Sequence, residues 1–111
     1  PDVFTAEIIF SVIHDLYDHF GNDWYPLANN VEKMADGTEI KGLGSSIFAI
    51  SKDTKHAQAA SQLGVILEKL GIFEWNSRMI GIAWRLRIEP PSTIDDLRMA
   101  LLSEPVMSAN P

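Results

Sequence analysis

The chain has no cysteine. That removes disulfides, thiolate nucleophiles and cysteine-based zinc sites, so packing alone must hold the core together. Histidine is sparse too, and its three residues leave little from which to build a metal centre. Long hydrophobic runs are missing: the longest apolar stretch, near Ile8 to Ile13, lies between Glu7 and the pair His14 and Asp15 and is too short to span a bilayer. No basic-then-apolar leader opens the sequence, so a soluble, intracellular chain without membrane contact is expected. Positive charge is the last shortage, with nine Lys and Arg against fifteen Asp and Glu for a net charge of −6. Such a balance works against indiscriminate attraction to polyanions, because neutralised phosphates supply most non-specific affinity for nucleic acid.

What is present fits one ordinary domain. At 111 residues, 46% hydrophobic and 22% charged, the chain can bury a single core but not two catalytic lobes. The expected domain runs over residues 1–104, with residues 105–111 as a flexible tail. The opening Pro1 fits an initiator methionine removed or a domain taken from a longer protein. Charge is sorted along the sequence: residues 54–88 hold five bases against two acids, whereas residues 1–53 hold three against nine and residues 89–111 one against four. A local basic surplus in an acidic chain marks a face with its own partner, since distant acids are screened within a Debye length of roughly 8 Å.

Apolar side chains at Ile8, Ile9, Val12, Ile13, Leu16, Tyr17 and Phe20 recur at helical spacing from Phe4, with Thr5 as cap and Gly21 as stop. Pro26 suits the first turn of a second helix carrying Leu27, Val31 and Met34, ended by Asp36 and Gly37. Ser45 can cap a short helix through Ile47, Phe48 and Ile50. Asp53 or Thr54 can cap one longer helix whose buried stripe is Ala57, Ala60, Leu63, Ile66, Leu67 and Leu70, with Gly71 as its left-handed stop. Two strands follow, Ile72 to Trp75 and Ile80 to Ile88, with Ile80, Ile82, Trp84, Leu86 and Ile88 facing one way and Gly81, Ala83, Arg85 and Arg87 the other. After Pro90 and Pro91, Ser92 or Thr93 caps a last helix through Ile94, Leu97, Leu101 and Leu102. The expected fold class is mainly α with a small antiparallel β-hairpin.

Three helices followed by a hairpin is the order of a winged helix-turn-helix, and the sequence resembles that family in its order of elements. More narrowly, the helix Gln62-Leu63-Gly64-Val65-Ile66-Leu67-Glu68-Lys69-Leu70-Gly71 and the strand Gly81-Ile82-Ala83-Trp84-Arg85-Leu86 resemble the winged-helix tails of phage and plasmid replication proteins of the primase-helicase type. Those tails often carry Leu-Gly-x-x-Leu-x-x-Leu-Gly in the helix and Gly-x-x-Trp-x-Leu in the second wing strand. The similarity covers about a third of the chain. It implies a cytoplasmic or nucleoid-associated module that binds duplex DNA within a larger replication, mobile-element or transcription protein, alongside other domains of that chain or a homodimer partner. Recognition helices of that family usually expose more arginine than this one.

The candidate DNA-binding residues are Thr54, Lys55, His56, Gln58, Ser61, Gln62, Arg78, Arg85 and Arg87. Thr54 and Lys55 start the helix, where free amides and a partial positive charge favour phosphate. Gln58 and Gln62 share a face, and an amide side chain can pair with an adenine edge through two hydrogen bonds. Arg78 at the hairpin tip, with Arg85 and Arg87 on the outward face, can reach phosphates or a narrow minor groove. The plainer account makes the glutamines a solvated helix face and the arginines guards of a sheet edge.

Other constellations are weaker. His14 and Asp18 lie four apart on one helical face, yet two ligands do not make a metal site. The run Gly42-Leu43-Gly44-Ser45-Ser46 lacks the endings of a phosphate-binding loop and the frame of a hydrolase nucleophile, so no enzyme and no cofactor are expected. Trp24, Tyr25, Trp75 and Trp84 can stack single-stranded bases, but such residues more often pack a core. The alternative function is a winged-helix docking or dimerisation domain without DNA contact, meeting its partner through Tyr17, Phe20, Trp24, Tyr25 and the leucines of residues 97–102. A DNA binder should expose Arg78, Arg85 and Arg87 together, whereas a docking module should present an apolar patch.

Overall fold

A computed structural model describes residues 4–102 as six helices and one three-stranded antiparallel sheet. Helix α1, Ala6–Phe20, begins where Thr5 Oγ1 accepts the amide of Ile8 at 3.1 Å and ends at Gly21, whose φ of +63° few other residues adopt. Its stripe Ile9, Val12, Ile13 and Leu16 is buried.

Pro26 does not open a helix. Tyr25–Pro26 forms strand β1 instead, an edge strand where a proline without an N–H is tolerated. Helix α2, Val31–Asp36, starts later because Asn30 caps it through the Lys33 amide, and the turn at Asp36 and Gly37 ends it as the sequence implies.

Helix α3, Leu43–Ser51, is capped by Gly42 and so begins three residues before the position expected from a Ser45 cap. Ser45 sits inside the first turn, where its Oγ accepts the Gly42 amide at 2.9 Å and donates to the Ile40 carbonyl at 2.8 Å. The glycines of this run serve close packing: a β-carbon at Gly42 would meet the Pro26 carbonyl at 2.5 Å, and one at Gly44 would meet Asn29 at 2.6 Å. Asp15 ties α1 to α3, accepting from Lys41 Nζ and, at 2.6 Å, from the buried Ser46 hydroxyl. Burial pushes the Asp15 carboxyl upward, but the bonds from Lys41 and Ser46 outweigh it, and the group titrates below its ordinary value.

The long helix expected after Asp53 is two helices, α4 at Thr54–Gln58 and α5 at Ala60–Lys69, bent at Ala59. The bend lets the small side chains Ala57 and Ala60 both reach the interior. It also turns α5 so that Leu63, Gly64 and Leu67 face inward while Ile66, expected in the core, is 51% exposed. Gly71, at φ +80°, turns the chain into the hairpin.

Strands β2, Phe73–Trp75, and β3, Ala83–Leu86, are shorter than the sequence implies, and β3 is central, flanked by β1 and β2. The ladder stops early because Asn76 organises the loop: its Oδ1 accepts the amides of Arg78 and Ala83, and its Nδ2 donates to the Gly81 carbonyl. Trp84 and Leu86 face the core as expected, but Ile80 lies in that loop, 92% exposed, and Ile88 past the strand is also exposed.

Helix α6, Ile94–Leu101, is capped by Thr93 and buries Leu97, while Leu102 points to solvent. Arg98 joins α6 to α1 through Glu7 at 2.8 Å. His14, weighed above as a metal ligand, donates from Nε2 to the Pro91 carbonyl at 2.7 Å and so holds the linker before α6. The expected tail, residues 105–111, lies outside the described residues, together with residues 103 and 104. Among the described residues no helix is long and apolar enough to cross a membrane.

Candidate nucleic-acid interface

The nine candidate residues fall on three surfaces. The first is the start of α4. Here Thr54 and Lys55 are exposed, but the Lys55 amide is already taken by Asp53 Oδ1 at 2.8 Å. The helix is only five residues long and carries its own anion, so its free amides do not form a phosphate site. His56 is turned away from solvent: its ring lies 5.5 Å from that of Phe4, and its Nδ1 is buried without a hydrogen-bond partner among the described residues. The sequence could not show this, because a histidine on a short helix can face either way.

The second surface is the outer face of α5 with the end of α4. Gln58 and Gln62 are exposed and Ser61 is half-buried. Ser61 and Gln62 share a shallow depression of about 330 Å³ with Val65 and Ile66, so the helix face is polar at its start and apolar further on. Lys69 is exposed at its end.

The third surface is the sheet and its loop. Arg78 stands exposed at the hairpin tip, and Arg87 is exposed after β3. Neither forms an ion pair among the described residues. Arg85 differs. Its Nε donates to Glu74 Oε1 at 2.9 Å across the Glu74 and Arg85 register, and its guanidinium lies 4.4 Å over the Trp24 ring. A cation held by a carboxylate and an indole is pre-positioned yet largely neutralised. The arginines expected to act together are therefore two free and one tethered.

Of the four aromatic residues considered for base stacking, Tyr25 and Trp84 are core residues. Trp24 and Trp75 do line one open cleft of about 690 Å³ beside Arg78. Two features escaped sequence reasoning. One is the Trp24, Arg85 and Glu74 cluster, which depends on β1 being a strand. The other is an apolar groove between α5 and the hairpin loop, lined in part by Val65, Met79 and Ile82. Its only signal in the sequence was Met79 in what should be a polar turn. Comparison with protein-family models, curated proteins and solved structures finds no match to this chain.

Proposed function

We propose that this chain is a winged helix-turn-helix domain that contacts duplex DNA through the outer face of α5 and the tip of the hairpin, as an accessory or regulatory module of a larger replication, mobile-element or transcription protein. The order helix, strand, helices, hairpin supports the fold, with β1 completing the hairpin into a three-stranded sheet. The observation that carries the functional reading is the surface just before that hairpin: Gln58 and Gln62 are exposed on either side of the bend at Ala59, Ser61 is half-buried, and Arg78 on the following loop forms no ion pair among the described residues. Gln58 and Gln62 are suited to adenine edges, and Val65 one turn on is suited to a thymine methyl. Lys55, Lys69, Arg78 and Arg87 supply phosphate contacts, and Arg85 contributes little while Glu74 holds it. With so few cations on a chain of charge −6, binding is weak, dependent on salt and modest in base preference.

Fluorescence anisotropy of labelled duplex DNA tests this. Arg78→Ala should weaken binding to every sequence alike, and Gln58→Ala with Gln62→Ala should narrow the difference between sequences. A folded chain that leaves the anisotropy unchanged at low salt would overturn the reading. Protein docking is the second reading, and the apolar groove beside α5 is the observation that favours it.

A further inference from the structure

The groove between the C-terminal half of α5 and the hairpin loop has a volume of about 360 Å³. Val65, Trp75, Met79 and Ile82 line it above Trp84, and Glu68 and Lys69 stand beside them. Ile66, which shares the neighbouring depression with Val65, is 51% exposed, and the loop residues Met79 and Ile80 are 83% and 92% exposed. A hairpin tip gains nothing from apolar side chains held in water, and a monomer seldom carries a patch of this kind without a use for it.

We propose that a second copy of this chain covers the groove, in a two-fold dimer in which the Met79 and Ile80 tip of each copy enters the groove of the other. The two-fold follows from self-complementarity. An isologous interface needs a surface that fits itself, and here one face holds both the knob and the hollow. Its charges are self-complementary as well. Glu68 and Lys69 both line the groove, and neither forms an ion pair among the described residues. A two-fold axis sets Glu68 of one copy against Lys69 of the other. The knob is also prepared for insertion: Asn76 bonds the loop to itself at Arg78, Gly81 and Ala83, so little conformational freedom is lost when the tip is buried. The competing occupant is the acidic, apolar outer face of α6, where Leu102 is 83% exposed near Asp95 and Asp96. That arrangement joins two different surfaces head to tail and has no reason to stop at two copies.

The dimer takes up Val65, Lys69 and the hairpin tip, so it competes with the DNA contact proposed above; it does not rest on DNA binding, and its test contains no DNA. Sedimentation of the full 111-residue chain from micromolar to sub-millimolar concentration should show the mass rising from 12.4 kDa to twice that value and no further. The Met79→Ser, Ile80→Asp variant should stay at 12.4 kDa with an unchanged circular dichroism spectrum, because both side chains lie outside the core. Glu68→Lys should dissociate the dimer, and adding Lys69→Glu should restore it. A single 12.4 kDa species at every concentration would overturn the proposal, as would a dimer indifferent to Ile80→Asp or a mass that grows past two copies.

Discussion

Gly64 lies flat against the indole of Trp84, so closely that a β-carbon on it would stand 2.4 Å from Cζ2 and 2.5 Å from Cε2. This contact fixes how α5 sits on the sheet, and with it which residues of α5 face solvent. Gly64→Ala should therefore be destabilising by about 1–3 kcal/mol, the usual range for overpacking, despite the better helix propensity of alanine. Chemical denaturation of Gly64→Ala, Trp84→Phe and the double variant checks the cause. A smaller ring should relieve part of the clash, so the two changes together should cost less than their sum.

Tyr25 is fully buried among Phe20 and Phe73, and its hydroxyl has no hydrogen-bond partner among the described residues. Burial pushes that hydroxyl far above its ordinary value, so it stays protonated at any ordinary pH. Removing an unsatisfied polar group from an apolar site should help: Tyr25→Phe should raise stability by about 1 kcal/mol. A fall of similar size, read from the denaturation midpoint, would mean that the hydroxyl is satisfied by water.

Asp15 couples α1 to α3 through Lys41 and the buried Ser46. Its carboxyl titrates below the ordinary 3.8, so the stability it contributes is complete above that value and is lost as pH falls through its lower folded value. Asp15→Asn should flatten that acid limb of a stability profile. At neutral pH Asp15→Ala should cost about 1–2 kcal/mol, mainly because Ser46 loses its acceptor.

Asn76 satisfies three backbone groups of the hairpin loop. Asn76→Ala should cost about 1–3 kcal/mol and speed amide exchange at Arg78 and Ala83 while leaving α1 and α3 protected. Uniform loss of protection would show that the loop is not a local unit.

Periodicity and caps revealed most of the helices: α1 with Thr5, the Asp53 cap before α4, and α6 with Thr93 all lie where the sequence puts them. The departures have a common cause in tertiary pairing. Tyr25 and Pro26 became a strand because β3 offered them partners, Trp84 fifty-nine residues on from Tyr25 and Ala83 fifty-seven residues on from Pro26. Ile66 left the core because Gly64, lacking a side chain, let Trp84 take the space a bulkier stripe would fill. The candidate site was legible as residue types but not as a surface. That Arg85 is held by Glu74 and Trp24, and that His56 turns toward Phe4, depends on neighbours distant in sequence.

The most direct measurement is the salt dependence of duplex binding by anisotropy, for the native chain and for Arg78→Ala. With Lys55, Lys69, Arg78 and Arg87 as the available cations, log K should fall against log salt with a slope of roughly −2 to −4, and the variant should lose about one unit of that slope. Binding with no salt dependence, or an unchanged slope in the variant, would contradict phosphate contact at the hairpin tip.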